Sequence, residues 1–291
     1  MNKINLSLLL PTRGRSQRLK QFLDSAYQTA LHSENIEVVL FIDDNDNSMH
    51  DFEYKKLKIK KLIQSRNTMG FYNTACLEVS EGEIIIALND DVLIKTLSWD
   101  KKIVDFHRAQ PDPVYLAYPN DLNKKGKLPT FPILSQATCE VLQAVFPTAY
   151  QGSFLDLHLY DIFMRLKKLH LHRVFFLKEI VFEHLHFRNK KATIDETYKC
   201  RDRFGDDRIF ISLTKLRKEE ANRLIRYCFK SHNSTSSITI SPPTAFVANG
   251  FIRSIVFYFL NFLLDRSLPW KWRIYLLYYF TGRLIFMKLF D

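Results

Sequence analysis

Short apolar runs and stretches of helical spacing take turns along the first hundred residues. Residues 4–10 form a largely apolar run that ends at Pro11, which predicts a buried strand. Over residues 16–31 the spacing changes. Leu19, Phe22, Leu23, Ala26, Tyr27 and Ala30 recur every third or fourth position, so this stretch reads as a helix with one apolar face. Residues 38–42 predict a second strand, 57–63 a short third and 84–88 a fourth, with a second helix over 69–79 and a Glu81–Gly82 turn. Strands alternating with helices imply a parallel sheet covered on both faces. In such sheets ligands collect where the strands end.

Polar clusters stand at three of those ends. Thr12-Arg13-Gly14-Arg15 follows the first strand, Asp43-Asp44-Asn45-Asp46 the second and Asn89-Asp90-Asp91 the fourth. A polar turn ends almost every strand, so one cluster alone is as readily a turn as a site. Three clusters on one sheet edge point to a site.

Beyond residue 100 the pattern loosens, with six prolines between Pro111 and Pro147. Helical spacing returns over 154–171, and 174–182 is apolar and strand-like. Residues 188–230 carry 13 basic and seven acidic side chains. A Ser/Thr-rich stretch over 232–243 closes on Pro242–Pro243 and suggests a boundary. The expected organisation is a first domain over 1–230, a linker over 231–250 and a helical extension over 251–291.

Composition narrows the class. With 46% hydrophobic and 25% charged residues the 291-residue chain is globular, which excludes a disordered or collagen-like protein. Lys and Arg exceed Asp and Glu by 42 to 31, a net +11, and there are 24 Phe, 13 Tyr and three Trp. Nucleic acid, an anionic membrane surface and a phosphorylated substrate are the partners such a balance admits. The surplus is local, however. Residues 188–230 contribute six of the eleven positive charges and 251–291 four, so the rest of the chain is almost neutral. Cys76, Cys139, Cys200 and Cys228 stand too far apart for a Cys-x-x-Cys pair, which argues against a zinc knuckle or a disulfide framework. The first ten residues lack a long apolar stretch and a small-residue cleavage site. The chain is therefore expected to stay in the compartment where it is made, with reduced thiols.

Adjacent carboxylates at the end of a buried strand are costly unless a cation sits with them. Asp90 and Asp91 therefore suit a hard divalent ion, which takes oxygen ligands and completes its shell from water and phosphates. An Asx-turn is the alternative reading. Thr12 and Arg13 can offer a hydroxyl, backbone N–H groups and a guanidinium to a nucleotide. Asp43 or Asp44 can accept from a ribose hydroxyl or a base N–H. Arg66 and Asn67 precede Gly70 and the start of a helix, another place for anionic or hydroxyl groups.

In order and spacing these residues resemble family 2 type glycosyltransferases of the GT-A fold. The resemblance rests on Leu8-Leu9-Leu10-Pro11-Thr12-Arg13-Gly14-Arg15, Phe41-Ile42-Asp43-Asp44, Arg66-Asn67-Thr68-Met69-Gly70 with Asn73, and Leu88-Asn89-Asp90-Asp91. Further on it takes in Asp161-Ile162-Phe163-Met164-Arg165-Leu166 and Phe182-Glu183-His184-Leu185-His186, covering roughly residues 4 to 210. It implies a GT-A type Rossmann-like mixed sheet with helices on both faces, plus the helical C-terminal extension. It also implies metal-dependent transfer of a sugar from a nucleotide-diphosphate-sugar, expected to be a UDP-sugar, to a hydroxyl of a cell-surface or lipid-linked glycan. Inversion at the anomeric centre follows from the family.

Carried over residue by residue, Thr12, Arg13 and Asp43 hold the nucleoside, with Arg15 and Asp44 in the same clusters. Arg66 and Asn67 border that pocket, and Asp91 ligates the metal. The usual Asp-x-Asp stands here as Asn89-Asp90-Asp91, so Asn89 can bond a sugar hydroxyl but adds no charge, and Asp90 joins it among the residues expected to bind the nucleotide-sugar. His184 is the second metal candidate, and an imidazole ligand favours Mn²⁺ over Mg²⁺. The base that takes the acceptor proton belongs in an acidic pair just before the Asp-x-x-x-Arg helix, where this chain has His158 and Leu159. Asp156 is the nearest carboxylate and the first choice, with His158 second.

Residues 251–291 hold 13 of the aromatic residues and six basic against two acidic side chains. The longest uncharged run, 254–264, is too short to cross a bilayer, which takes about 20 residues. Rings and scattered cations suit helices lying in a membrane interface; helices docked on the core are the alternative. The protein is thus expected to be cytoplasmic and peripheral on the inner face of the membrane. A nucleotidyltransferase would call for a Gly-rich phosphate loop that Gly14 alone does not supply. A nucleic-acid-binding protein would fit the charge, but no helix-turn-helix or RNA-binding signature accompanies it, so nucleic acid is not an expected partner. Asn89 and the missing acidic pair also leave open an inactive transferase-like protein.

Overall fold

The computed structural model describes residues 4–185, 204–229 and 251–290. The expected linker at 231–250, and His186 and Cys200, lie outside the described residues. By its internal contacts the chain divides into two units, residues 1–157 with 174–201 and residues 158–173 with 202–291. This division groups the 158–173 stretch with the C-terminal helices rather than with the sheet.

The first unit is built on one mixed sheet. In chain order its strands are β1 (Leu6–Thr12), β2 (Ile36–Asp43), β3 (Lys58–Gln64), β4 (Ile84–Ala87), β5 (Val92–Ile94), β6 (Leu116–Asn120), β7 (Ile133–Ser135) and β8 (Val174–His184). They lie in the order β3-β2-β1-β4-β7-β6-β8-β5. β1, β2, β3 and β4 are mutually parallel, with Leu6 beside Ile36 and Ile84. β7 is antiparallel to both β4 and β6, and β8 runs parallel to β6. Two reversals restore direction, so β1, β2, β4, β6 and β8 all end on the same edge.

Burial follows position in this order. β2 is buried at every residue from Ile36 to Asp43, as a central strand covered on both faces must be. β3, on the edge, has no buried residue and reads Lys-Ile-Lys-Lys-Leu-Ile-Gln, the charged sequence that keeps an open edge from pairing with another chain. Helix α1 (Ser16–Thr29) buries Leu19, Phe22, Leu23 and Ala26 against this core, while Tyr27 and Ala30 are partly buried beside it. The short helix α2 (Asn47–His50) follows β2. Helix α3 (Met69–Glu78) starts where Thr68 Oγ1 accepts from the Phe71 N–H at 3.1 Å. Its Gly70 lies so close to the Pro147 carbonyl that any Cβ would sit 2.0 Å from that oxygen. Helices α4 (Trp99–Arg108), α5 (Gln136–Val141) and α6 (Leu155–Lys168) complete the series, with the division between units falling after Leu157.

The second unit is helical. It contains most of α6, then α7 (Gly205–Ser212), α8 (Thr214–Cys228), α9 (Phe251–Tyr258), a π-helical turn over Phe259–Leu263 and α10 (Trp270–Phe290). Phe280 stacks on Phe210 at 5.0 Å and on Phe262 at 5.1 Å between rings. Around them runs a buried ionic network. Asp161 accepts from Arg165 Nη2 at 2.8 Å, Arg217 Nε at 2.7 Å and Trp272 Nε1 at 2.8 Å. Arg165 reaches on to Asp265 at 2.9 Å, and Arg283 grips Asp207 through two bonds of 2.6 and 2.8 Å. The C-terminal segment is therefore part of a packed helical unit. Among the described residues no helix is long and apolar enough to cross a membrane.

Candidate active site

Three loops that leave the ends of β1, β2 and β4 build the site. Gly14 takes a left-handed φ of +59°, which turns the chain after β1, and its N–H donates to Asp46 at 2.6 Å. On one side of that turn Thr12 Oγ1 donates to Asp90 at 2.8 Å; on the other Arg15 Nη1 donates to the second Asp90 oxygen at 2.8 Å. Asp90 is buried, which raises its pKa, while Arg15 and Thr12 pull the other way. It thus acts as a brace that ties the end of β4 to the end of β1.

Arg13 turns toward β2. Its guanidinium pairs with Asp43 and donates to Asn45 Oδ1 at 2.7 Å. Asp43, buried at the end of β2, also accepts from Tyr72 Oη at 2.6 Å, and Tyr72 Oη accepts in turn from the Asn67 N–H at 2.9 Å. Burial and the bond to Asp43 push the Tyr72 hydroxyl up to about 12, so it stays a donor at any physiological pH. The Tyr72 ring packs 4.4 Å from Phe41. Arg13, Asp43, Asn67 and Tyr72 therefore form one connected cradle. Arg66 is exposed near Tyr72, and its charge acts on that hydroxyl. Asp44 is exposed and accepts from Ser65 at 2.9 Å, on the β3 side of the cradle. Tyr72 was not legible as a site residue, because it lies on a stretch whose apolar spacing reads simply as a helix.

Asp91 and His184 meet at the far side of the brace. His184 Nε2 lies 3.3 Å from Asp91 Oδ1, and both side chains are buried. The β5–β8 ladder fixes them: Val92 pairs with His184, and the Leu185 N–H donates to the Asp91 carbonyl at 2.8 Å. Phe131 stands edge-on to the imidazole at 5.2 Å. Two adjacent ligands of a six-coordinate ion at 2.0–2.2 Å lie about 3.0 Å apart, so an oxygen and a nitrogen at this spacing fit one divalent cation. Among the described residues no group of three or more His, Cys, Asp or Glu side chains gathers around a single point. The protein side of such an ion would be this pair, with the remaining ligands from solvent and substrate.

Asn89 is exposed between the brace and the strand end. Asp156 is half-buried in the first turn of α6, where one carboxylate oxygen accepts from the Leu157 N–H at 2.7 Å. His158 belongs to the second unit and is fully buried. Burial, and then Arg217, hold its pKa well below the ordinary histidine value, which keeps the ring neutral.

The mixed sheet, with helices around it and a C-terminal helix, is that of a GT-A type Rossmann-like fold. The chain is similar in structure to TarS from S. aureus. Against residues 1–349 of TarS in complex with UDP it superposes with a TM-score of 0.53 at 16% identity, covering 97% of this chain and 88% of that one. Against a longer TarS structure the TM-score is 0.50 at 15% identity, with 97% of this chain covered. The chain spans about half the length of that longer TarS chain, 53%. No family model and no curated protein matches the sequence.

Proposed function

We propose that the protein is a metal-dependent glycosyltransferase that moves a sugar from a nucleotide-diphosphate-sugar, a UDP-sugar by preference, to an acceptor hydroxyl with inversion. The observation that carries this reading is the Asp91–His184 pair at the strand ends, 3.3 Å apart and on the same sheet edge as the Arg13–Asp43–Tyr72 cradle. The cradle takes the nucleoside: Asp43 accepts from it and the Arg13 guanidinium neutralises the carboxylate. Thr12, Arg15 and Asp90 hold the two strand ends in place rather than reaching the donor themselves. Asp91 and His184 hold Mn²⁺, or Mg²⁺ in its place, which when bound stabilises the charge that grows on the departing diphosphate. Asp156 takes the acceptor proton. A half-buried carboxylate can reach a substrate, whereas His158 is enclosed, so Asp156 is preferred. Complexes of TarS with UDP support a nucleotide site in this fold.

The acceptor is a cell-surface or lipid-linked glycan, and the enzyme works peripherally on the inner face of the membrane. Supporting this placement, the C-terminal helices expose Ile252, Trp270, Tyr278 and Leu289, each at 61–80% of full accessibility.

Thermal melting with UDP, GDP and CDP, each with and without Mn²⁺, tests the central claim. One diphosphate should raise the melting temperature only when the metal is present, and H184A should abolish that rise. A rise that survives in H184A, or a response to none of the three, overturns it. For the membrane, wild type should pellet with anionic vesicles and a variant with W270S and Y278S should not; equal partition of the two counts against the tail.

A further inference from the structure

Asp46 stands where an N-cap residue belongs, just before α2, and does not cap it. An aspartate there ordinarily accepts from a backbone N–H in the first turn of its own helix. Asp46 is instead buried between exposed neighbours, Asp44 and Asn45 on one side and Asn47 and Ser48 on the other. Its Oδ2 reaches across to the β1–α1 turn and accepts from the Gly14 N–H at 2.6 Å, while Oδ1 accepts from Ser48 Oγ at 2.6 Å. The backbone of Asp46 is held from both sides as well. Its N–H donates to the Asp43 carbonyl at 2.9 Å, and its carbonyl accepts from the Met49 N–H at 3.0 Å.

That reach matters because of where the sheet stops. β1 and β2 pair in register as far as Thr12 and Ile42, where the ladder between them ends. Asp43 is still held from the other side, by its register with Gln64 and by the Asp44 N–H, which donates to the Gln64 carbonyl at 2.8 Å. The Gly14–Asp46 bond then holds the backbone of the first turn against the second loop. Gly14 has a φ of +59°, and a Cβ there would meet no atom within 4 Å, so glycine is needed for the backbone conformation and not for space.

The turn is a fork. It sends Arg13 to Asp43 and Asn45, and Thr12 and Arg15 to Asp90. Arg13 is the more exposed of the two arginines, its side chain 34% accessible against 14%, so the turn more than the surrounding packing sets where it points. We propose that Asp46 is a positioning residue for nucleotide binding: it fixes the Gly14 turn, and through that turn it keeps the Arg13 guanidinium on the cradle. Asp46 acts through Arg13 and touches no substrate. The claim deepens the transferase reading and rests on it for the nucleotide, whereas the hold of Asp46 on the turn stands without it.

The test is calorimetry of UDP binding in Mn²⁺, below the melting temperature of each variant. D46A should bind UDP about tenfold more weakly than wild type, the loss expected when one buried bond is removed. D46N keeps a carbonyl acceptor for the Gly14 N–H and should stay within about threefold of wild type. G14A has room for its methyl but not for its backbone conformation, and should weaken binding as D46A does. Because Asp46 works through Arg13, D46A/R13A should bind no more than about twofold worse than R13A alone. A D46A protein that melts lower but binds UDP as wild type does overturns the proposal, since Asp46 then serves the fold alone. So does D46N binding as weakly as D46A, or a double variant whose losses multiply to about a hundredfold. Amide exchange reads the turn with no nucleotide present. In D46A the Gly14 N–H should exchange about tenfold faster, and an unchanged rate also overturns the proposal. If that exchange quickens while wild type binds none of UDP, GDP and CDP, the transferase reading fails and the hold of Asp46 on the turn is upheld.

Discussion

Two clusters of aspartates and arginines in this protein look alike on paper and sit in different surroundings. In the second unit Asp161 receives three donors, from Arg165, Arg217 and Trp272, and is fully enclosed. Burial works to raise its pKa, but Arg165 and Arg217 outweigh that and hold the carboxyl well below the usual carboxylate range. Every lone pair that could meet a substrate is spent on packing. In the first unit the pairs are divided. Asp90 is spent on Thr12 and Arg15, whereas Asp91 stands 3.3 Å from the His184 imidazole. Asp-x-x-x-Arg at 161–165 and Asp-Asp at 90–91 are both short acidic motifs, and the metal role proposed for Asp91 is what sets the second apart from the first.

The largest effect should come from breaking the enclosed cluster. D161A leaves Arg165 and Arg217 buried without their carboxylate, and should cost about 3–5 kcal/mol in urea unfolding. A cost below 1 kcal/mol would mean the network is solvated and the contrast false. Acid should act on the same cluster. Asp161 and Asp265 both titrate below their ordinary value, since Arg165 beside them overcomes the effect of burial. Their contribution is therefore complete above pH ~4 and drains away as pH falls toward the depressed folded values. Melting followed from pH 6 to pH 2 should show wild type losing stability over that range, with D161A losing less.

Next in size is the open cluster, read by activity instead of stability. D91A should reduce turnover about a hundredfold, near 2.7 kcal/mol, with a melting temperature close to wild type. If D91A unfolds like D161A, Asp91 is structural. A smaller effect is expected from Y72F, which removes one bond to Asp43 and should weaken UDP binding by about 1 kcal/mol, measured by calorimetry. Least of all, K101A breaks the exposed Lys101–Asp105 pair on α4 and should shift stability by no more than ~0.5 kcal/mol. A larger shift would show that surface pairs carry more of this fold than its buried ones imply.

Much of the first unit was legible in the chain. The α1 face at Leu19, Phe22, Leu23 and Ala26 and the strands at β1, β2, β3, β4 and β8 follow from hydrophobic spacing, because burial is periodic in helices and strands. β5, β6 and β7 are only three to five residues long and carry little pattern of their own. Tyr72 escaped for a different reason: its role depends on a bond to Asp43, 29 positions away in sequence, that only the packing of α3 beside β2 brings within reach. The C-terminal segment shows the same limit. Its rings and cations are plain in the sequence, yet which of them face inward, as Trp272 and Phe280 do, and which outward, as Trp270 and Tyr278 do, is set by packing.

By itself, then, the sequence determined the alternation of strands and helices and the polar clusters at the strand ends, because local spacing and turn chemistry are written residue by residue. Tertiary structure alone decided that Asp90 is a brace and Asp91 a partner of His184, 93 positions away. Only long-range pairing, here the β5–β8 ladder, can place two such groups within reach of one ion. It likewise decided that Asp161 is enclosed: Arg165 reaches it from the same helix, but Arg217 and Trp272 converge on it only after two other helices have packed.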